Sequence, residues 1–312
     1  MKAESRTSFW SNEVGAWIAT ALAENAPVGH STEPHLRAAI LSVANQPGKL
    51  TRARLILGVT QAHGIEHETG LALATAVEYF HLSSLLLDDL PCMDDAKTRR
   101  GQDCVHRSHG EATAILAALA FINRAYALIG FAVSDQPLDV RLQVQACLDA
   151  YLGVSGLVGG QARDLRFAES DRSSRETACV AVGKTGALFS LSILLPALLA
   201  GPSKSERHAL KALCIYWSLI YQALDDLQDV LSTSVNAGKT TGRDRLLTRP
   251  NVALTLGVPR TLNRLSRLLH RGDRTIEHLC QKSLSWTFLQ EFQHYLAEAA
   301  APIVALGAAS AA

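Results

Sequence analysis

Four aspartates, Asp88, Asp89, Asp94 and Asp95, fall within eight positions of one another. They directly follow the apolar or small run Leu82 to Leu87, and Arg99, Arg100 and a glycine come after them. A solvated helix spreads its acids along one wet face, whereas these are concentrated at the end of a greasy segment. On a helix, Glu78, His81, Leu85 and Asp88 stack through steps of three and four residues, with Ser84 one turn below Asp88. Pro91 cannot donate the backbone bond that Leu87 would accept, so the helix must kink or stop there and a bulge must place Asp94 and Asp95. A second cluster, Asp225, Asp226 and Asp229 in LDDLQD, repeats the pattern at helical spacing. Carboxylates in apolar helices cost several kcal/mol each to bury unless a cation neutralises them, roughly. Oxygen-only clusters without His or Cys suit Mg²⁺, which keeps several waters and bridges to substrate phosphates.

The elements that must position these groups all read as helices. FWSNEVGAWIATALAENAP predicts one helix from Ser11 to just before Pro27 within an N-terminal segment 1–30, and HLRAAILSVAN predicts a second. In GKLTRARLILG, Gly48, Lys49 and Arg52 stand at a helix start, with the two cations three apart, as an anion site needs; a solvated first turn is the plainer reading. The apolar stretch 186–201 holds Pro196 and is short for a membrane span, so a core helix is expected. Residues 303–312, after Pro302, are expected to form a frayed tail. No run alternates β-branched residues, and no repeat or linker is visible. The expected fold is one all-α domain over 1–312, of roughly ten or more helices.

Bulk properties exclude several classes. The 312 residues are 48% hydrophobic and 19% charged, ample for a large core. A net charge of +1 gives no global field for nucleic acid, and no integral membrane segment is expected. Six scattered cysteines without CxxC spacing read as reduced, buried thiols of a cytoplasmic protein.

DDLPCMDD…RRG followed by LDDLQD resembles the two aspartate-rich motifs of trans-isoprenyl diphosphate synthases, a resemblance running from about Gly48 to Asn251. It implies a single helical bundle of the isoprenoid synthase type with a central cavity on which both acid clusters converge. It also implies up to three Mg²⁺ ions, held by Asp88, Asp89, Asp94, Asp225, Asp226 and Asp229, that clamp an allylic diphosphate (dimethylallyl, geranyl or farnesyl) and make it a leaving group. PGKLTRA matches the family's GGKxxRP at Gly48, Lys49 and Arg52, with Pro47, Leu50 and Ala53 departing from it. Together with His81 and Arg100 these residues would hold isopentenyl diphosphate. On residues alone, a lone His on an apolar helix is more often a satisfied core side chain; its place in the family's HxxSLxxDDL frame is what points to a ligand role. Arg99, Lys184 of GKTG, and Lys239 would take remaining diphosphate charge, while Thr185 and Gln222 would face developing positive charge. Gln161 and Asp164 match GGQxxDL; Asp164 either supports the metal site or pairs with Arg163 or Arg166 at the surface. Leu119 stands where the family often has an acid.

Product length would be read along the helix that carries Asp88. Ser83 and Ser84 are small and leave that path open, and Phe80, two turns down, is a candidate floor. The Pro91–Cys92 insertion resembles that of enzymes making geranylgeranyl diphosphate, with farnesyl diphosphate the next choice. Family resemblance also implies a homodimer. A class I terpene cyclase and a non-catalytic partner subunit are the alternatives: the first usually lacks RRG and the Lys49, Arg52, His81 set, and the second usually loses one aspartate motif.

Overall fold

The computed structural model describes residues 10–46, 48–231 and 249–309. These fall into two compact units, residues 1–141 and 142–312.

In the first unit, α1 (Asn12–Glu24) starts where Ser11 accepts from Val14 N at 3.2 Å. The Glu33 carboxylate accepts from His35 N and Leu36 N to begin α2 (Pro34–Ala44), with proline at the one position where its missing N–H costs nothing. α3 spans Thr51–Ala62 and α4 spans His67–Asp88. α4 is apolar all round and is accordingly buried along most of its length, from Gly70 to Leu86. The Tyr79 hydroxyl donates to Leu22 O at 2.6 Å, tying α4 to α1, and its ring lies 5.0 Å from that of Phe121. A hairpin of β1 (Thr98–Arg99) and β2 (Gln102–Asp103) follows. Its turn residues Arg100 and Gly101 both have positive φ, 52° and 79°, the combination that matches strand twist in a two-residue turn. α5 (Val105–His109), α6 (Glu111–Ala132) and the start of α7 (Leu138–Leu152) complete the unit.

The second unit holds α8 (Leu157–Leu165), α9 (Ser174–Val180), a π-helical turn (Ala181–Thr185), α10 (Gly186–Ala200) and α11 (Lys204–Leu231), then α12 (Val252–Leu256), α13 (Val258–Lys282) and α14 (Leu289–Ala309). α10 is the expected core helix, buried continuously from Gly186 to Ala197 despite Pro196. Trp217 anchors the packing of α11 on α14: its indole N–H donates to Gln293 Oε1 at 2.8 Å, and its ring meets Phe292 edge-on at 4.7 Å. Gly272 gives Gln293 the room to pack, since a Cβ there would lie 2.6 Å from its Oε1.

Residues 303–309, within the tail expected to fray, are helical, because alanine propagates the helix past Pro302 and Gly307 seats the end against Leu262 of α13; residues 310–312 lie outside the described residues. All six cysteines are free, but only Cys104 and Cys214 are buried; Cys92 and Cys179 are exposed. Among the described residues, three stretches, α4, α6 and 174–200, are long and apolar enough to cross a membrane by length and composition. α4 and 174–200 turn most of that apolar surface inward, while α6 keeps Ile115, Leu116, Leu119 and Phe131 exposed.

Candidate functional site

In the first unit the end of α4 delivers the acids. The helix stops at Asp88, with Leu90 N donating to Leu87 O where Pro91 N could not. The chain then folds back: Asp94 N donates to Asp88 O at 3.0 Å and Ala96 N to Asp89 O at 3.2 Å. Asp88 and Asp94 therefore leave one tight turn from partly open positions, two carboxylates at a single place.

Asp89 differs. It is buried, and both its oxygens accept from Arg99, whose Nε lies 2.9 and 2.8 Å away and whose Nη2 lies 2.6 Å away. Sequence reasoning counts Asp89 among metal ligands and Arg99 among diphosphate cations; the structure joins the two to each other. Charge-assisted, multidentate bonds of this kind fix the guanidinium plane, so Asp89 is in a position to aim Arg99.

Behind the acids lies a cluster of cations. The type I′ turn of the hairpin sends Arg100 back to Gln46 O, and a Cβ on Gly48 would lie 2.6 Å from the Arg100 guanidinium, so the glycine makes room for it. α3 begins at Thr51, with Leu50 in the left-handed region (φ 55°), so Lys49 precedes the helix and Arg52 lies in its first turn. Arg52, Arg100 and Arg99 all act on His81: burial first, and then these three cations, hold its pKa well below the ordinary 6.5, so the imidazole is neutral at pH 7.

Glu78 is the group that sequence reasoning placed on this stripe without giving it a role. It is buried, accepts from Ala53 N at 3.1 Å, and lies in the field of Arg52 and Arg100. Burial raises its pKa, and the two arginines and the Ala53 amide oppose that rise. Glu78 thus pins the first turn of α3 to α4 and places one carboxylate among the cations. The signal was legible: an acid inside a helix that is apolar on every side must have a partner.

Farther down α4, Ser83 donates to Phe80 O and Ser84 to His81 O, both at 2.8 Å, which keeps both hydroxyls against the helix. Phe80 is buried with its ring edge-on to Tyr126 of α6 at 5.1 Å. The ring that Phe80 meets, Tyr126, is a residue no motif marks.

In the second unit, the π turn is the positioning device. Gly186 N donates to Ala181 O, five residues back, and the bulge sets Lys184 and Thr185 at the head of α10. α8 crosses it at glycine: a Cβ on Gly160 would collide with Lys184 N and the Gly183 backbone. Lys184 Nζ donates to Asp164 Oδ2 at 2.8 Å, and Arg249 lies 3.6 Å from the same oxygen. Arg163 and Arg166 pair instead with Glu176 and Glu169, so the surface pairing considered for Asp164 does not occur.

A chain of hydrogen bonds links Thr185 to α11. Its hydroxyl donates to Gln222 Oε1 at 3.0 Å, and Gln222 Nε2 donates to Asp226 Oδ1 at 2.8 Å. Asp226 Oδ2 accepts from Val252 N at 2.5 Å. Asp226 is fully buried, with one oxygen held by Gln222 and the other by Val252 N. Helical phase is the reason: Asp225 and Asp229, four apart, share the outer face while Asp226 turns inward. The same chain orients Thr185, because a hydroxyl that donates its proton to Gln222 presents its lone pairs elsewhere. Asn251, also buried, caps α12 through Leu254 N at 3.0 Å and donates to Asp226 O. Lys239 lies outside the described residues.

Among the described residues, no three His, Cys, Asp or Glu side chains form a ready cage for a metal. Mg²⁺ needs only one or two carboxylates and completes its shell with water and substrate phosphate. Asp88 with Asp94, and Asp225 with Asp229, offer two hard carboxylates each.

The chain matches a family model described as polyprenyl synthetase over residues 33–281. It is 35% identical to a geranylgeranyl diphosphate synthase of Pseudescherichia vulneris over 253 residues, 80% of this chain and 78% of that protein. It is 31% identical to the farnesyl diphosphate synthase of Bacillus subtilis, over 67% of this chain and 71% of that one. Among solved structures it is similar to a geranyltransferase of Helicobacter pylori complexed with magnesium and isoprenyl diphosphate, with TM-score 0.79 and 25% identity over 96% of this chain and 98% of that one.

Proposed function

The chain belongs to the polyprenyl synthetase family, and on that premise we propose that it is a Mg²⁺-dependent short-chain trans-prenyltransferase. It condenses isopentenyl diphosphate head to tail with an allylic diphosphate. Geranylgeranyl diphosphate is the favoured product, ahead of farnesyl diphosphate. The observation that carries this reading is the set of cations gathered behind the first acid motif. Arg52 and Arg100 act on neutral His81, with the buried carboxylate of Glu78 opposing them, so this cluster of cations suits an anion.

Each unit's residues have a role. Asp88 and Asp94 in the first unit, and Asp225 and Asp229 in the second, would hold up to three Mg²⁺ ions. When bound, the metal supplies Lewis-acid charge that makes the allylic diphosphate a leaving group. Asp89 aims Arg99 at that diphosphate, and Asp164 does the same for Lys184. Lys49, Arg52 and Arg100 take the isopentenyl diphosphate, with His81 donating a ring N–H as a neutral partner. Thr185 turns its oxygen lone pairs toward developing positive charge because Gln222 and Asp226 hold its proton elsewhere.

The proposed assembly is one catalytic domain acting as a cytoplasmic homodimer. The exposed apolar stripe of α6, Ile115, Leu116, Leu119 and Phe131, is the surface a second copy would cover. The decisive experiment incubates the protein with Mg²⁺ and farnesyl diphosphate, with and without isopentenyl diphosphate, and sizes the alcohols released by phosphatase. Elongation to a C20 alcohol only when both substrates are present supports the reading. Release of hydrocarbon from the allylic diphosphate alone overturns it.

A further inference from the structure

α13 carries arginines at 260, 264, 267, 271 and 274, a repeat of four and three that keeps all five on one side over about 21 Å. Like charges at this spacing repel, so an isolated helix would be better off without them. Among the described residues none of the five has a carboxylate within ion-pair distance, and the helix's own Asp273 and Glu277 do not pair with them. The crowding is physical: burial, and then Arg267, lower the pKa of Arg264.

Four of these arginines, 260, 264, 267 and 271, edge a groove of about 950 Å³ between α11 and α13. Its apolar lining is Ile215, Tyr216 and Leu219 from α11, Leu256 from α12 and Leu268 from α13, and Ile215 is 42% exposed. Among the described residues no acidic side chain lines it. A concave apolar floor under a rim of uncompensated cations is complementary to one kind of partner, in which phosphate and hydrocarbon lie side by side. A nucleic acid backbone would satisfy the arginines and leave the floor uncovered. An acidic peptide would do the same unless it also brought an apolar face.

We propose that this groove docks the protein on an anionic phospholipid membrane surface, with lipid phosphates on Arg260, Arg264, Arg267 and Arg271 and the upper acyl chain against Ile215, Leu219 and Leu268. The inference goes beyond the reaction assigned above and does not depend on it. Arginines near an anionic bilayer attract it, and the attraction falls with salt.

The test is co-sedimentation of the full-length protein with two kinds of vesicle, phosphatidylcholine alone and phosphatidylcholine in which phosphatidylglycerol replaces part. Binding to the anionic vesicles only, weakened by added salt, is expected. R267Q/R271Q changes two exposed residues and should weaken that partitioning by about 30-fold, taking about 1 kcal/mol for each arginine near the surface. R267K/R271K, which keeps the charge, should bind within a few-fold of the wild type, and both variants should keep their activity in vesicle-free solution. Absence of binding, equal binding to neutral and anionic vesicles, or unchanged binding of R267Q/R271Q would each overturn the proposal, including the case in which the groove serves an acidic protein or RNA.

Discussion

Replacing Asp226 by asparagine separates a buried scaffold acid from its outward-facing neighbours Asp225 and Asp229. The carboxylate accepts from Val252 N at 2.5 Å and from Gln222 Nε2 at 2.8 Å, with 0% exposure. Asparagine has the same shape but one acceptor oxygen. That oxygen must stay with the backbone N–H of Val252, which cannot move, so the new Nδ2 faces Gln222 Nε2 and two donors meet. Gln222 then flips, and Thr185 accepts from Gln222 where it previously donated. Two charge-assisted bonds become neutral ones at a loss of about 1 kcal/mol each, so D226N should be less stable by about 2 kcal/mol. The denaturant midpoint should fall with unchanged slope. Turning the Thr185 hydroxyl proton outward should lower kcat by about tenfold, equivalent to about 1.4 kcal/mol of transition-state stabilisation. The Mg²⁺ concentration for half-maximal rate should stay where it is. D225N, at an exposed position, should do the opposite: stability within about 0.5 kcal/mol of wild type and a raised Mg²⁺ requirement. If D226N keeps its stability and shifts the Mg²⁺ requirement as D225N does, the inward-facing chain from Thr185 to Val252 is refuted.

Four further outcomes are expected. Because His81 has a folded pKa below 6.5, the unfolded chain binds a proton that the folded chain refuses between those two values. Stability should rise with pH across that window and level off above 6.5, and H81N should lose that part of the slope in denaturation curves taken at several pH values. G160A should push α8 off the π turn and loosen Asp164 from Lys184, costing about 1–3 kcal/mol by thermal or chemical unfolding and reducing turnover more than it raises the KM for isopentenyl diphosphate. S84F, four residues below Asp88, should shift the alcohols recovered after phosphatase toward shorter chains; an unchanged distribution would place the length gauge elsewhere. L116E/L119E, on the exposed stripe of α6, should sediment as a monomer, against the dimer proposed for the wild type.

The residues themselves determined a good deal. An apolar helix ending in paired acids, a second acid cluster at helical spacing and a glycine-flanked Lys–Thr are one-dimensional patterns. Period, proline and burial cost convert directly into helices and into a need for cations. The stop of α4 before Pro91 and the burial of α10 follow from these alone. Composition could not say which acids stay open to solvent and which brace the scaffold, because adjacent aspartates look identical in a string. Asp89 turns to Arg99, and Asp226 to Gln222 and Val252, only because a hairpin and the start of α12 arrive beside them. Tertiary structure likewise supplied the partner of Glu78, the Tyr126 ring against Phe80, and the α11 floor beneath the arginines of α13. Each joins residues from separate elements, and contacts of that kind are fixed by how helices pack and not by spacing along any one of them.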